Sequence, residues 1–392
     1  MKTIKELDIT GKRVFIRVDF NVPMDATQRI TDDIRIRTSL PTIEYAVAQG
    51  AKVILASHLG RPKGKRVPEM SLAPVAKHLE GLLGRKVAMA PDCVGEGAEA
   101  MVAEMNEGDV LLLENLRYHD EEQANDADFA GKLATLCDVY INNAFAVSHR
   151  VHASVAAITE KVAQKGAGLL LEKEIALYNK AMGEPVRPLV AIIGGAKISS
   201  KLGALTNMLS VVDKVIIGGA MANTFLKAQG LSVGNSLVED DMLESALSVI
   251  TTCREKGIPL YLPVDGVVAG EFSADADSEV VSVDAIAGDV MMLDIGPETG
   301  ATYAKVVQEA KTIVWNGPMG AFEMAPFSHG TLDLVAAVAE ADALTVVGGG
   351  DTDVALHMAG AEDKVSYVST GGGAFLTLME GKPLAGVTYL DA

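Results

Sequence analysis

The sequence has few cysteines, no long apolar run and a deficit of basic residues. Its three cysteines, Cys93, Cys137 and Cys253, lie far apart and show no CxxC spacing, which argues against a disulfide framework and against a zinc site. No run approaches about 18 uninterrupted apolar residues, and the N-terminus lacks the apolar stretch of a signal peptide. We therefore expect a cytoplasmic protein with reduced cysteines and no contact with a membrane.

The two best-known glycine signatures of nucleotide binding are also missing. The chain contains no GxxxxGK[ST], and no GxGxxG follows the first strand, so a P-loop and a dinucleotide fingerprint are both excluded. Lys and Arg number 34 against 52 Asp and Glu, which gives a formal net charge of −18. Nucleic acid and anionic membranes are therefore poor partners for the chain as a whole.

The composition that remains is that of a folded protein of more than one domain. Hydrophobic residues make up 49% and charged residues 22% of the 392 residues. Short Val/Ile/Leu runs alternate with amphipathic stretches, which is typical of βα units and a parallel sheet. The predicted strands are Val14–Val18, Val53–Ser57, Val110–Glu114, Val139–Asn142, Leu189–Ile193, Val215–Ile217, Leu260–Leu262, Val290–Leu293, Ile313–Trp315, Leu344–Val347 and Val365–Val368. Each half of the chain has enough strands for a sheet of its own.

One segment separates the two halves. Gly168–Met182 reads as a single helix, and Gly183, Pro185 and Pro188 interrupt regular structure before the next strand. We therefore predict an N-terminal lobe over residues 1–167, an interdomain helix and hinge over 168–188, and a C-terminal lobe over 189–375.

The first half delivers cations at the ends of its strands. The relevant segments are Arg17–Pro23, Ser57–Pro62, Glu114–Arg117 and Asn143–Arg150, and Arg35 is predicted in a loop before a helix that starts near Thr38 and Ser39. A single loop arginine is usually a surface charge. Parallel strands would bring several such ends to one edge, where guanidinium groups suit a fixed phosphate or carboxylate.

The second half ends its strands in glycine runs. Gly194–Lys201 carries Lys197 and Lys201 four residues apart, which on a helix would place both ammonium groups on one face. Gly348–Thr352 places Asp351 at a helix start, where it could cap the helix or meet Mg²⁺ carried by nucleotide phosphates. Such loops let backbone N–H groups hold phosphates, so the sequence predicts a second anion site.

These segments resemble the phosphoglycerate kinase family, in family order and over essentially the whole chain. The matching segments are Arg17–Pro23, Ser57–Pro62, Glu114–Arg117, Gly194–Lys201, Trp315–Glu323, Gly348–Thr352 and Ser369–Ala374. The resemblance implies an α/β fold of two Rossmann-like three-layer lobes, each with a mainly parallel sheet, joined by a hinge helix, with segment 376–392 packing back on the N-terminal lobe. It also implies a monomeric glycolytic kinase that interconverts 1,3-bisphosphoglycerate plus ADP and 3-phosphoglycerate plus ATP with Mg²⁺.

The resemblance assigns roles to matching positions. It implies that phosphoglycerate is bound by Asp19, Phe20, Asn21, Arg35, His58, Leu59, Gly60, Arg61, Arg117 and Arg150. It implies that the nucleotide is bound by Lys201, Gly218, Gly219, Asn316, Pro318, Glu323, Gly349, Gly350, Asp351 and Thr352. In the same family pattern, Asp351 meets the magnesium ion, and Arg35, Lys197, Gly350 and Gly372 act on the phosphoryl group as the lobes close.

The sequence departs from the family pattern in two places. Ala146 and Val147 replace a usual Gly and Thr ahead of Arg150, and Ser200 replaces an Asp found before Lys201 in many relatives. Two other functions remain as alternatives: a nicotinamide dehydrogenase, which would need the missing fingerprint, and a hinged binding protein without catalysis. A metal site at His149 and His152 would need a third ligand that does not follow nearby.

Overall fold

A computed structural model describes residues 1–391, which divide into two compact units. Unit 1 comprises Met1–Ile175 and the chain from Pro383 to the end of the described residues, and unit 2 comprises Ala176–Lys382. The division falls within helix α6 (Leu169–Met182). The returning segment of unit 1 begins at Pro383, so residues 376–382 belong to unit 2.

Unit 1 is built on six parallel strands in the order β3-β4-β2-β1-β5-β6. The strands are β1 (Arg13–Arg17), β2 (Lys52–Ala56), β3 (Val87–Met89), β4 (Val110–Leu112), β5 (Val139–Asn142) and β6 (Gln164–Ala167). Its other helices are α1 (Ile34–Ala48), α2 (Ala73–Leu83), α3 (Glu96–Ala103), α4 (Asp120–Gln123), α5 (Ala127–Thr135) and α14 (Ala385–Asp391). Val14, Ile16, Val53 and Leu55 on the central strands pack with Ile36 and Ile43 of α1 in one core.

Unit 2 has a second sheet of six parallel strands, in the order β15-β14-β13-β7-β8-β9, and a smaller antiparallel sheet in the order β11-β10-β12. The strands are β7 (Leu189–Ile193), β8 (Lys214–Ile217), β9 (Leu260–Tyr261), β10 (Asp265–Ala269), β11 (Ser278–Ser282), β12 (Met291–Ile295), β13 (Thr312–Asn316), β14 (Leu344–Gly348) and β15 (Tyr367–Ser369). The helices are α7 (Leu202–Met208), α8 (Met221–Ala228), α9 (Leu243–Lys256), α10 (Pro297–Gln308), α11 (His329–Glu340), α12 (Gly350–Met358) and α13 (Gly372–Met379).

The predicted fold class is confirmed: each unit is an α/β fold around a parallel sheet. The fully buried β7 and β13 explain why the strand signal was clear, because strands covered on both faces read as unbroken apolar runs. The antiparallel sheet was missed in part, since β11 is mostly exposed and short of apolar residues. Within residues 1–391, no helix is both long enough and apolar enough to cross a bilayer.

The predicted start of the helix after Arg35 is wrong. Helix α1 begins at Ile34, so Arg35 lies in its first turn and Pro41 lies inside the helix. The Asp32 carboxylate accepts a hydrogen bond from the Ile34 amide at 2.9 Å and so satisfies one of the free amides of the first turn. The residue that the sequence placed in a loop is therefore held by a helix.

Candidate active site

Four neighbouring strands of unit 1 deliver polar side chains to one edge of its sheet. Strands β4, β2, β1 and β5 are consecutive and parallel. The segments that follow them carry, in the same order, Arg117, His58, Asp19 and Arg150. The carboxyl ends of parallel strands lie at the same edge, so the predicted gathering of these strand ends is confirmed.

Asp19 and Arg35 form an ion pair at this edge. Arg35 Nη1 donates to Asp19 Oδ2 at 2.8 Å, and the Asp19 side chain is 8% exposed against 35% for Arg35. The first turn of α1 thus points a guanidinium group toward the end of β1. Because the arginine is only half-buried, it can give donors to a ligand while keeping its carboxylate partner.

His58 lies buried among positive charges. Its Nδ1 atom is 3.8 Å from Asp19 Oδ1. Burial, followed by the field of four guanidinium groups, holds the pKa of His58 well below its ordinary value; those groups belong to Arg17, Arg117, Arg150 and Arg35. The imidazole is therefore neutral at physiological pH, and it serves as a hydrogen-bonding group rather than as a charge.

Arg17 is a component of the site to which the sequence gave no role. It is fully buried, and its Nη2 lies 3.2 Å from His58 Nδ1 while its Nε donates to Ser154 Oγ at 2.8 Å. Ser154 in turn donates from its hydroxyl to Glu122 Oε1 at 2.6 Å and from its amide to Oε2 at 2.9 Å. Glu122 is also fully buried, so a carboxylate and a guanidinium are joined through one serine behind His58. A signal existed, since a charged residue ends an otherwise apolar strand.

The loop between β2 and α2 is tied to Asn21 and Arg117. The Gly60 amide donates to Asn21 Oδ1 at 2.8 Å, and the Gly60 carbonyl accepts from Arg117 Nη1 at 2.7 Å. Burial, with the charges of Arg150 and Arg17, lowers the pKa of Arg117 to about 10. Arg117 Nε is buried and has no hydrogen-bond partner in the protein. A donor of this kind indicates an acceptor supplied by a ligand.

The remaining predicted residues of unit 1 differ in exposure. The side chains of Phe20 and Leu59 are buried in the core, so only their backbone can face a ligand. Arg61 is exposed. Arg150 is half-buried and its Nε lies 3.3 Å from His149 Nε2, while His149 Nδ1 is buried without a partner.

In unit 2 the glycine turns pack directly on one another at the carboxyl ends of β7, β8 and β13. The Gly195 amide donates to the Pro318 carbonyl at 2.9 Å, and the Gly219 amide donates to the Met319 carbonyl at 2.9 Å. Gly219 has φ +69, and a Cβ atom there would lie 2.5 Å from the Gly195 amide nitrogen. These turns need glycine because backbone approaches backbone without room for a side chain.

The fourth turn joins β14 to helix α12. Gly349 precedes the helix with φ 115, Gly350 and Asp351 are exposed at its start, and Thr352 Oγ1 accepts from the Gly317 amide at 2.8 Å. Asn316 Nδ2 donates to the Gly348 carbonyl at 2.6 Å. A Cβ atom on Gly372 would lie 3.3 Å from Gly349 Cα, so the turn after β15 meets this turn. Asp351 is not the helix cap, because the helix already includes Gly350 and no side chain caps it.

The predicted helical placement of the two lysines is wrong. Helix α7 begins at Leu202, so Lys197 and Lys201 lie in the bend and turn before it. The bend is held by Glu239, whose Oε2 accepts from the Ser199 amide at 3.0 Å. Burial lowers the pKa of Lys201 to about 8, and the nearby Asp351 carboxylate opposes that shift.

The other predicted nucleotide residues are divided between the interior and the surface. Gly218, Pro318 and Asn316 are buried in the turns, whereas Glu323 and Lys197 are exposed. Together the turns expose amide groups and the start of a helix of nine residues, with an ammonium and a carboxylate beside it. This arrangement can hold the phosphates of a ligand together with a divalent cation.

Comparison with known proteins agrees with this geometry. The model of the family "Phosphoglycerate kinase" matches residues 4–382. The chain is 58% identical over 392 residues to the phosphoglycerate kinase of Desulfotalea psychrophila and 57% identical over 391 residues to that of Desulforapulum autotrophicum, with all of each chain covered. The solved phosphoglycerate kinase of Coxiella burnetii superimposes with a TM-score of 0.91 at 44% identity, covering 100% of this chain and 98% of that one. The chain belongs to the phosphoglycerate kinase family.

Proposed function

We propose that this member of the phosphoglycerate kinase family divides its reaction between its units, with phosphoglycerate bound by unit 1 and the nucleotide by unit 2. The reaction is the glycolytic transfer of a phosphoryl group between 1,3-bisphosphoglycerate and ADP, which makes the chain a phosphotransferase. Family membership sets aside the alternatives of a nicotinamide dehydrogenase and a binding protein without catalysis.

The cluster around His58 is the observation that carries the assignment of unit 1. Four guanidinium groups act on one buried neutral imidazole, and Arg117 Nε lacks a partner. In a chain with a net charge of −18, such a concentration of positive charge suits a phosphate that is held and not transferred. We assign His58, Arg61, Arg117 and Arg150 to that phosphate and assign Asp19 and Asn21, with the backbone of Phe20, Leu59 and Gly60, to the glycerate.

The turns of unit 2 support a nucleotide site. The start of α12 offers backbone amides at Gly350, Asp351 and Thr352, and the N-terminus of a helix attracts phosphate oxygens. Lys201 adds an ammonium group next to Asp351. We assign to the rest of the nucleotide Gly218, Gly219, Asn316, Pro318, Glu323 and Gly349.

The residues at the start of α12 fit a magnesium ion. Asp351 presents an exposed carboxylate next to the amides that would hold phosphate, and Mg²⁺ is usually bound by one or two carboxylates together with substrate phosphates. When bound, the ion would neutralise charge on the nucleotide phosphates. We assign Asp351 to hold it.

The chemistry asks for alignment and charge stabilisation. An acyl phosphate is already activated, so an oxygen of the ADP β-phosphate can attack it in line without a base and without a covalent enzyme intermediate. We assign Arg35, Lys197 and the amides of Gly350 and Gly372 to stabilise the phosphoryl oxygens. The low pKa of His58 agrees with this mechanism, since no proton transfer by histidine is required.

A coupled assay tests the proposed function. Purified protein supplied with Mg²⁺, ADP and 1,3-bisphosphoglycerate should form ATP, and a chelator should abolish the rate. A folded protein that formed no ATP under these conditions would refute the proposal. A monomeric, cytoplasmic enzyme is part of the same proposal, and sedimentation of the purified chain tests the oligomeric state.

A further inference from the structure

A cluster of three metal-binding side chains lies in unit 1 beyond the ends of β3 and β4. Asp92 and Cys93 follow β3, and His119 follows the short turn Leu116–Tyr118 after β4. One ligand atom from each of the three lies within 4.8 Å of the others. The cluster exists because β3 and β4 are neighbours in the parallel sheet and their carboxyl ends meet at one edge.

We propose that Asp92, Cys93 and His119 bind a borderline or soft divalent cation of the zinc type, with one coordination position left for water. A thiolate, an imidazole and a carboxylate are the three side-chain ligands that Zn²⁺ takes, and three protein ligands plus an open position is a known arrangement. The thiolate favours this class of cation over Mg²⁺, which takes oxygen ligands. Binding would release the thiol proton of Cys93 to solvent and break the hydrogen bond between His119 and Asp92.

The two more exposed ligands are already oriented toward one another. His119 Nε2 lies 2.7 Å from Asp92 Oδ1, and the same oxygen accepts from the Cys93 amide at 2.7 Å. The His119 ring packs against Phe129 with a centroid separation of 5.2 Å, which limits its rotation. Ligands fixed in this way lose little conformational freedom when a cation binds.

The cluster is reached from the surface through an acidic cavity. Cys93 is fully buried, whereas the side chains of His119 and Asp92 are 26% and 34% exposed. A cavity of about 500 Å³ is lined by His119 together with Asp120, Glu121 and Asp126, and these carboxylates attract a cation. Arg66, bonded to the Pro91 carbonyl, is the opposing charge on the other side of the cluster.

The site is separate from the proposed substrate groups and from the magnesium position. His119 is two residues from Arg117 in sequence, but its hydrogen bond is to Asp92 and not to the cluster around His58. Within residues 1–391, the search for groups of three possible ligands returns this cluster and not His149 with His152. The sequence did not indicate it because Asp92 and His119 lie 27 residues apart and share no motif.

The experiment titrates the full chain, stripped by a chelator and free of nucleotide, with Co²⁺ and then Zn²⁺ in excess Mg²⁺. We expect one equivalent of Co²⁺ to produce a thiolate-to-cobalt charge-transfer band, which Zn²⁺ abolishes. Cys93→Ser and His119→Asn should each weaken Zn²⁺ binding at least about tenfold, since even outer-shell changes weaken metal sites by about that factor. Asp92→Asn keeps the buried thiol and should weaken binding without removing the band.

A matched control is available on the same unit. His78 Nε2 lies 2.8 Å from Asp33 Oδ2, with side-chain exposures of 35% and 22%, but this pair does not belong to the three-ligand cluster. His78→Asn should leave the band and the Zn²⁺ affinity unchanged. Absence of the band in the wild-type chain would overturn the proposal, and so would equal Zn²⁺ affinity in wild type, Cys93→Ser and His119→Asn. Both readings remain decisive if one variant fails to fold, because the wild-type spectrum is independent of the variants.

Discussion

At the scale of the residue, burial decides what each charged side chain of the candidate site can do. Arg17 is fully buried and bonded to protein groups, whereas Arg35 keeps a third of its side chain exposed. We therefore infer that Arg17 is a positioning residue for His58 and that Arg35 faces the substrate. Arginine at both places is not one role repeated.

Arg35→Ala should lower kcat about 10²–10³-fold, which is the usual cost of removing one donor that stabilises developing charge. The Kd of Mg-ADP should change little, because Arg35 belongs to unit 1. Arg37→Ala is the matched control, since Arg37 lies on the same helix in a surface pair with Asp33 at 2.8 Å. Steady-state kinetics and ADP titration check both variants, and an equal loss of ADP binding in Arg35→Ala would contradict the assignment.

Ser154→Ala removes the hydroxyl between Arg17 and Glu122 and leaves two buried charged groups with one fewer partner each. We expect a loss of about 1–3 kcal/mol in the free energy of unfolding. The KM for 3-phosphoglycerate should also rise severalfold, while the KM for ATP stays unchanged. Denaturant unfolding and steady-state kinetics measure these effects. A stability loss with both KM values unchanged would show that Ser154 is only structural.

The pKa of Lys201 predicts a pH dependence of nucleotide binding. Burial lowers that pKa to about 8, and the protonated ammonium is the form that attracts phosphate. At pH 9 about nine-tenths of Lys201 would be neutral in the free enzyme, so the Kd of Mg-ADP should be about tenfold weaker than at pH 7. Lys201→Arg stays charged and should flatten the profile, which calorimetry at several pH values can measure. A wild-type profile identical to that of Lys201→Arg would exclude Lys201 from the phosphate contact.

Residue identities were easier to predict from the sequence than their partners. Charged residues that follow apolar strands point to an edge of the sheet, and the edge of unit 1 has the expected members. The pairing of Arg17 with Ser154 spans 137 residues, and no local pattern contains it. The same limit hid the cluster of Asp92, Cys93 and His119.

At the scale of the element, the turns after the strands of unit 2 depend on backbone packing. Gly195, Gly219 and Gly317 all have positive φ, and Gly317 would place a Cβ atom 2.3 Å from the Gly194 carbonyl oxygen. These turns form one layer of backbone above β7, β8 and β13. We infer that their shape, rather than any one side chain, forms the floor of the nucleotide site.

Gly219→Ala should destabilise the protein by at least about 2 kcal/mol, because the new methyl would overlap the Gly195 backbone at a positive φ. The control is Gly300→Ala on helix α10, where a Cβ atom meets nothing within 4 Å. That change should stabilise by about 0.4–1 kcal/mol. Denaturant unfolding compares the two, and equal stability of the two variants would contradict the packing argument.

Elements were predictable where their apolar run was unbroken. Leu189–Ile193 and Val139–Asn142 agree with the predicted bounds because both strands are buried along their full length. β6 was missed because its first residues, Gln164 and Lys165, are polar and partly exposed. The start of α1 was misplaced because Pro41 resembles a first-turn proline although it lies well inside the helix.

At the scale of the whole molecule, two parallel sheets give two anion sites of different construction. Unit 1 gathers guanidinium groups, and unit 2 gathers backbone amides, one ammonium and one carboxylate. Neither set offers an activated nucleophile, since His58 is buried against Arg17 and unit 2 relies on backbone groups. The account therefore requires the phosphoryl group to pass directly from one substrate to the other.

Isotope exchange between ADP and ATP tests this requirement most directly. With Mg²⁺ and no phosphoglycerate, a direct transfer allows no exchange, because the phosphoryl group has no acceptor on the enzyme. Addition of 3-phosphoglycerate should start exchange, and Arg35→Ala should slow it in proportion to its loss of kcat. Label that moves between ADP and ATP without phosphoglycerate would demonstrate a phosphoenzyme and contradict the account.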